Sequence, residues 1–264
     1  MKRIISVITI LNFIFTFIIV ATDCFDPALS EAPRPRDDIN PGLPAQAQNE
    51  TQDEIPAESP YPIGSIVTFG RYEQDNNSKN GKEPIEWTVI GLEADGTCLL
   101  LSKYALDYKP YNNSDTNVTW ETCTLRRWMN TEFYSAAFDD SERQKILLTH
   151  NVTPDTPKYG TYGGADTYDY VFTLTLQEIA DTYGVNHYNW EDWWGEPGLR
   201  GVATRYLKTK GVKTYDGYCA WWLRTPGTRN NQVVCISGKT GEFVYSNVTY
   251  KTDRGVRVAI RVRF

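Results

Sequence analysis

RGVRVAIRVRF closes the chain at residues 254–264. Val256, Val258, Ile260, Val262 and Phe264 alternate there with Arg257, Ala259, Arg261 and Arg263. Successive strand side chains point to opposite faces, so one face is wholly apolar and the other carries three cations. The segment is expected to be a strand with one buried side. Earlier stretches supply more strands. IGSIVTFGRY (63–72) alternates and is rich in β-branched residues. PIEWTVIGLEADGTCLLLSKYAL (84–106) reads as strand, turn at Asp95-Gly96, strand, a hairpin pattern.

Helical patterns lie between these strands and the chain end. In TCTLRRWMNTEFYSAAF (122–138), Leu125, Trp128 and Met129 recur at three and four residues, and Thr122 or Thr124 is placed to cap the helix. DDSERQKILLTH opens with Asp139 and has Glu142 three residues on, a capping box ahead of the apolar Ile146 and Leu147. DYVFTLTLQEIADTYG reads as a strand ending at Thr175, which caps a short helix with Glu178 and a stop at Gly184. LRGVATRYLKTKG (199–211) reads as an amphipathic helix closed by Gly211. Strands flanking a block of helices give an α+β class with antiparallel strands and a few short helices.

The first third of the chain has a different character. Lys2 and Arg3 precede eighteen uncharged, mostly apolar residues, 4–21. This is the pattern of an export segment, either cleaved or retained as a membrane anchor, and Cys24 adds lipidation as a third outcome. Each of the three places the rest of the chain outside the cytoplasm, secreted or anchored at the cell surface. Residues 22–61 carry nine acids against two bases and many prolines, a composition that reads as a disordered linker. The chain as a whole carries −6. Because the linker holds most of that charge, residues 62–264 are near neutral, and a nucleic-acid partner is not expected.

The blocks VTFGRYEQD, PIEWTVI, LLLSKYALD, TWETCTLRRWMNTEFY, AFDDSERQKI, DYVFTLTLQEIADTY, WWLRTPG and GVRVAI occur in an order that resembles a family of secreted bacterial domains of unknown function. That family is in turn similar to a distant branch of the fold shared by the formylglycine-generating (sulfatase-modifying) enzymes and the C-type lectins. The resemblance spans residues 62–264 and implies one irregular, loop-rich, C-type-lectin-like α+β domain whose first and last strands lie close together. Two departures stand out: Val258 and Arg261 replace a proline and an aromatic in the closing motif, and VNHYNWEDWWGEPG (185–198) is an enlargement.

No residue set selects a catalytic centre. Cys98, Cys123, Cys219 and Cys235 fall in the domain, with Cys219–Cys235 the favoured disulfide because both lie on adjacent strand-like segments; buried thiols are the other reading. An enzyme related to the formylglycine-generating group would use such cysteines, and an unidentified carboxylate pair would serve a hydrolase. His150 and His187 stand far apart, and no spacing matches a metal site. The loop EQDNNSKNGKE (73–83) superficially resembles a calcium loop, but its glycine is displaced and Lys79 occupies a ligand slot. Neither a metal nor a cofactor is expected.

Aromatic residues carry the binding expectation. Tyr188, Trp190, Trp193 and Trp194 lie within seven residues, interleaved with Glu191, Asp192 and Glu196, and follow no helical or strand period. Such rings stack on sugars or fill partner pockets, or else pin a small satellite core. Trp221 and Trp222 are strand neighbours and face opposite ways. Trp222 with Arg224 either packs beneath a helix or loop, or floors a ligand groove. The expectation is a non-catalytic binding module for a glycan or surface-protein ligand, with a structural surface protein as a further alternative.

Overall fold

A computed structural model describes residues 60–185, 195–250 and 254–264. Four strands form the first sheet: β1 (Ile66–Tyr72), β2 (Glu83–Leu92), β3 (Cys98–Ser102) and the last strand of the chain, β12 (Ala259–Val262), in the order β1-β2-β3-β12. The β2–β3 turn falls at Asp95-Gly96 as the sequence indicates, with Gly96 at φ 82°. β12 pairs with β3 on one side, and on the other it meets Ile146 and Phe172 through single bridges. Phe172 and Ala259 exchange both backbone hydrogen bonds, at 3.0 and 2.7 Å. Phe264 returns against Phe69 of β1 and against Tyr61, with ring centroids 5.8 and 4.3 Å apart.

The second sheet has the order β10-β9-β8-β7-β4, with β11 added to β8. Its members are β4 (Tyr104–Ala105), β7 (Gly201–Ala203), β8 (Tyr218–Pro226), β9 (Gln232–Ile236), β10 (Phe243–Asn247) and β11 (Arg254–Gly255). The β4–β7 and β11–β8 pairs are parallel and the other pairs antiparallel. A two-stranded ribbon, β5 (Thr149–Asn151) with β6 (Thr167–Asp169), stands apart. The class is α+β, loop-rich, with short helices: α1 (Thr124–Trp128), α2 (Tyr134–Ala137), α3 (Asp140–Arg143), α4 (Leu176–Tyr183) and α5 (Arg205–Thr209). Among the described residues no helix is long and apolar enough to cross a membrane.

Both capping boxes form. Asp139 accepts from the Glu142 amide while Glu142 accepts from Asp139, and Thr175 and Glu178 do the same for α4. Glu142 has a second task, because its Oε1 accepts the Gly70 amide of β1 at 2.9 Å. The neighbouring Phe69 carbonyl accepts the Trp87 indole N–H at 2.7 Å. Gly70, at φ 72°, could carry no side chain: a Cβ would lie 2.6 Å from the Phe138 ring and 2.8 Å from the Ala137 carbonyl.

Five expectations need correction. The strand read as ending at Thr175 stops at Asp169, and beyond it only Phe172 makes a single bridge, to Ala259. The chain end has no fully solvated cationic face: Arg257 and Ala259 are buried, and only Arg261 and Arg263 reach solvent. Arg257 lies over the Trp221 ring at 4.8 Å and its Nε donates to the Ser102 carbonyl at 3.0 Å, which is how its burial is tolerated. The first helix is capped by Cys123, not by a threonine; its Sγ accepts the Arg126 amide at 3.4 Å. The helix also passes through a π turn, Met129–Phe133. LRGVATRYLKTKG is divided between β7 and α5, because Gly201 and Val202 pair with Cys219 and Tyr218 and Thr204 then caps the helix. Cys219 and Cys235 lie too far apart in register for a disulfide: Cys235 is opposite Trp222, whereas Cys219 points to the other face among Ala105, Leu207 and Val212.

Candidate ligand-binding site

Asp169, at the end of β6, organises a buried polar cluster. Its side chain is wholly buried. Oδ2 accepts from Thr167 Oγ1 at 2.7 Å, Trp120 Nε1 at 2.9 Å and Asn151 Nδ2 at 3.1 Å, and Oδ1 accepts from Arg126 Nε at 2.6 Å. A buried carboxylate persists only when paired in this way. The bonds fasten the outer face of α1 to the β5–β6 ribbon. Asn130, one turn on from Arg126, extends the seam: its Oδ1 accepts the Tyr170 and Val171 amides and its Nδ2 donates to the Val171 carbonyl.

An open cleft of about 330 Å³ lies above this seam, lined by Glu121, Thr122, Arg126, Arg127, Thr131 and Tyr168. Tyr168 is 62% exposed. Its ring is braced by His150, with centroids 5.0 Å apart, and His150 Nε2 is itself 2.9 Å from Asp166 Oδ2. A flat ring is therefore held at the mouth of a hollow rimmed by hydroxyls, a carboxylate and guanidinium groups. On the far flank of α1 a second hollow of about 170 Å³ is lined by Lys109, Asn113, Thr124, Arg127, Trp128 and Glu132. Lys109 Nζ sits 4.7 Å over the Trp128 ring. Arg127 lines both hollows, and its guanidinium makes no bond among the described residues.

Trp222 and Arg224 are both buried, so neither floors a groove. Trp222 Nε1 donates to the Lys109 carbonyl at 2.9 Å and its ring meets Tyr111, which fixes the segment behind the second hollow. Arg224 binds Glu178 Oε1 at 2.6 Å and lies against Phe172, tying α4 to β8. Tyr188, Trp190, Trp193 and Trp194 lie outside the described residues. The five described tryptophans, 87, 120, 128, 221 and 222, are all buried.

Cys123 borders the cleft, but burial pushes its thiol up to about 12, so at neutral pH it is a protonated helix cap and no nucleophile. Glu73, Asp75 and Glu83 converge, each offering an oxygen within 4.8 Å of the others, a set able to hold a hard divalent cation. The sequence reading set that loop aside on its glycine and Lys79. It did not foresee that β1 and β2 would bring the loop ends together.

Sequence reasoning also missed Tyr168, Arg126, Arg127 and Asp169. A signal existed in Arg126 and Asn130: they stand four apart beside the apolar face of one helix, a polar stripe aimed along the same wall.

A family of known pattern, DUF6273, a domain of unknown function, matches residues 95–264. The chain belongs to the DUF6273 family. Both hollows and the whole second sheet fall inside the DUF6273 match, whereas β1, β2 and the three converging carboxylates precede it. No curated protein and no solved structure matches the chain.

Proposed function

We propose that the chain is an extracytoplasmic, non-catalytic binding module, secreted or held at the cell surface, whose cleft between α1 and the β5–β6 ribbon takes a glycan. The exposed Tyr168 ring braced by His150 carries the reading, since such a ring offers a stacking platform for the apolar face of a sugar. Arg127, Thr122, Thr131 and Glu121 ring it with hydrogen-bonding groups suited to hydroxyls. The apolar segment 4–21 and the acidic linker supply the extracytoplasmic part of the proposal. A lectin-like ancestry is consistent with this use of an irregular α+β scaffold. The protein-ligand alternative would use the same cleft. The enzyme alternative is weakened by the complete burial of Cys219 and Cys235.

Glycan arrays and cell-wall fractions test it. The full chain is expected to bind a defined subset of glycans, and Tyr168→Ala and Arg127→Ala are each expected to weaken that binding about tenfold, the order of one lost stacking or charged contact. A parallel variant with Trp190, Trp193 and Trp194 changed to alanine separates the cleft from that loop. Full binding by both cleft variants would remove the cleft from the site.

A further inference from the structure

The cleft over the Asp169 seam does not stop at α1. Only that helix separates it from the smaller hollow, and Arg127 belongs to the walls of both. The arrangement follows from one short helix lying on the core. Leu125 and Trp128 are buried, Arg126 and Asn130 line the ribbon side, Thr124 lines the other side, and Arg127 stands exposed on the ridge between them.

The smaller hollow has a fixed wall. The Lys109 carbonyl accepts the Trp222 indole N–H at 2.9 Å, the Asn113 amide donates to Thr124 Oγ1 at 3.1 Å, and the Thr124 amide donates to Asn112 Oδ1 at 3.1 Å. These bonds tie the 109–113 segment to β8 and to the start of α1. None of them uses the side chains of Asn113 and Glu132, which stay exposed at the rim as an amide and a carboxylate. The walls are therefore set before a ligand arrives, and the groups that would meet it remain open.

A helix with its side chains is roughly 10–12 Å across. One sugar ring seated on Tyr168 does not reach the far flank of α1, whereas a chain of such rings does. A site for the end of a glycan is closed beyond its last ring. This cleft instead leads over a ridge whose exposed side chain serves both flanks.

We infer that the cleft takes a linear glycan along its length, one sugar on Tyr168 and a later sugar of the same chain in the hollow of Asn113 and Glu132, with Arg127 beneath the linkage between them. This rests on the glycan reading of the cleft, to which it adds the ligand class, a chain held internally and not by a single terminal sugar, and two residues that select for it. Asn113 and Glu132 meet only the later sugar, so they act on chain length and leave the first ring alone.

The test follows amide NMR shifts of the full chain titrated with size-fractionated oligosaccharides of one to six sugars, prepared from cellulose, from chitin and from peptidoglycan glycan strands. Affinity is expected to rise at least about tenfold from the single sugar to the longest chain, because the second hollow is then filled intramolecularly, and one oligosaccharide is expected per protein. Asn113→Ala and Glu132→Ala change exposed side chains; each is expected to remove most of that rise and to leave single-sugar affinity unchanged. Glu132→Gln keeps an acceptor oxygen and is expected to retain most of it. Tyr168→Ala is expected to weaken every length alike. Equal affinity for one and six sugars, a rise that survives both alanine variants, or two single sugars bound per protein with no gain from linking them would overturn the inference and leave the cleft a glycan site. Absence of binding by every member of the three series would overturn it together with the glycan reading.

Discussion

Trp221 and Trp222 are adjacent, and each indole N–H is taken by the carbonyl of a distant segment: Leu199 for the first, Lys109 for the second. Their opposite orientation was legible from strand parity alone. Which carbonyls they would reach was not, because those partners lie 22 and 113 positions away in the chain. Around Trp222 the residues are titratable as well as apolar. Tyr111 is fully enclosed between Trp120 and Trp222, and burial, reinforced by the neighbouring Cys123, raises its hydroxyl well above the usual tyrosine range. Burial likewise holds Cys123 at about 12, and Tyr72, enclosed and bonded to Asp107 at 2.6 Å, is raised too. All three are neutral in the folded and unfolded chain below about pH 7.5, so their contribution is constant there, and the unfolded Cys123 thiol is the first to ionise above it. Above that, the unfolded chain releases protons that the folded chain keeps, and stability falls. Thermal melts are therefore expected to show a midpoint that drops progressively from pH 9 to pH 11; a flat midpoint across that window would contradict the enclosure of these groups.

At the level of elements, the parts that were legible are the ones with local causes. The boxes Asp139–Glu142 and Thr175–Glu178 need only residues three apart, and both form as read. The segment 199–211 was misread because its outcome depends on Cys219 and Tyr218, which draw Gly201 and Val202 into a strand. The ribbon β5–β6 escaped notice for a similar reason: its three-residue strands are held by Asp169, whose partners come from five separate positions. Glu142 is where one element supports another, since it serves the start of α3 and the Gly70 amide of β1 together. Glu142→Ala removes both bonds and is expected to lower unfolding stability by about 1–3 kcal/mol, at roughly 0.5–1.5 kcal/mol for each. Glu142→Gln keeps one acceptor oxygen and should lose about half as much. Urea titrations with an unchanged slope read the difference, and equal losses in the two variants would refute the double role.

For the whole molecule, the α+β class followed from the strand at the chain end and the helical block before it. The topology did not, because β12 is stitched to β3 on one side and to Ile146 and Phe172 on the other, contacts that no local pattern announces. The first sheet also crosses the start of the family match at Asp95: β1 and β2 precede it, yet β2 covers one side of β3 over five register positions. A fragment of residues 95–264 would leave β3 as an apolar edge, with Leu100 and Leu101 uncovered. It is expected to aggregate and to show no cooperative melt, while residues 60–264 melt in a single transition; light scattering and calorimetry distinguish the two. The outer margin of that same sheet ends differently. At Phe69 and Gly70 the backbone carbonyl and amide are already occupied by Trp87 and Glu142. A strand from a second molecule arriving alongside β1 would find both groups of this peptide already taken, so any pairing of copies along that margin is interrupted at its middle.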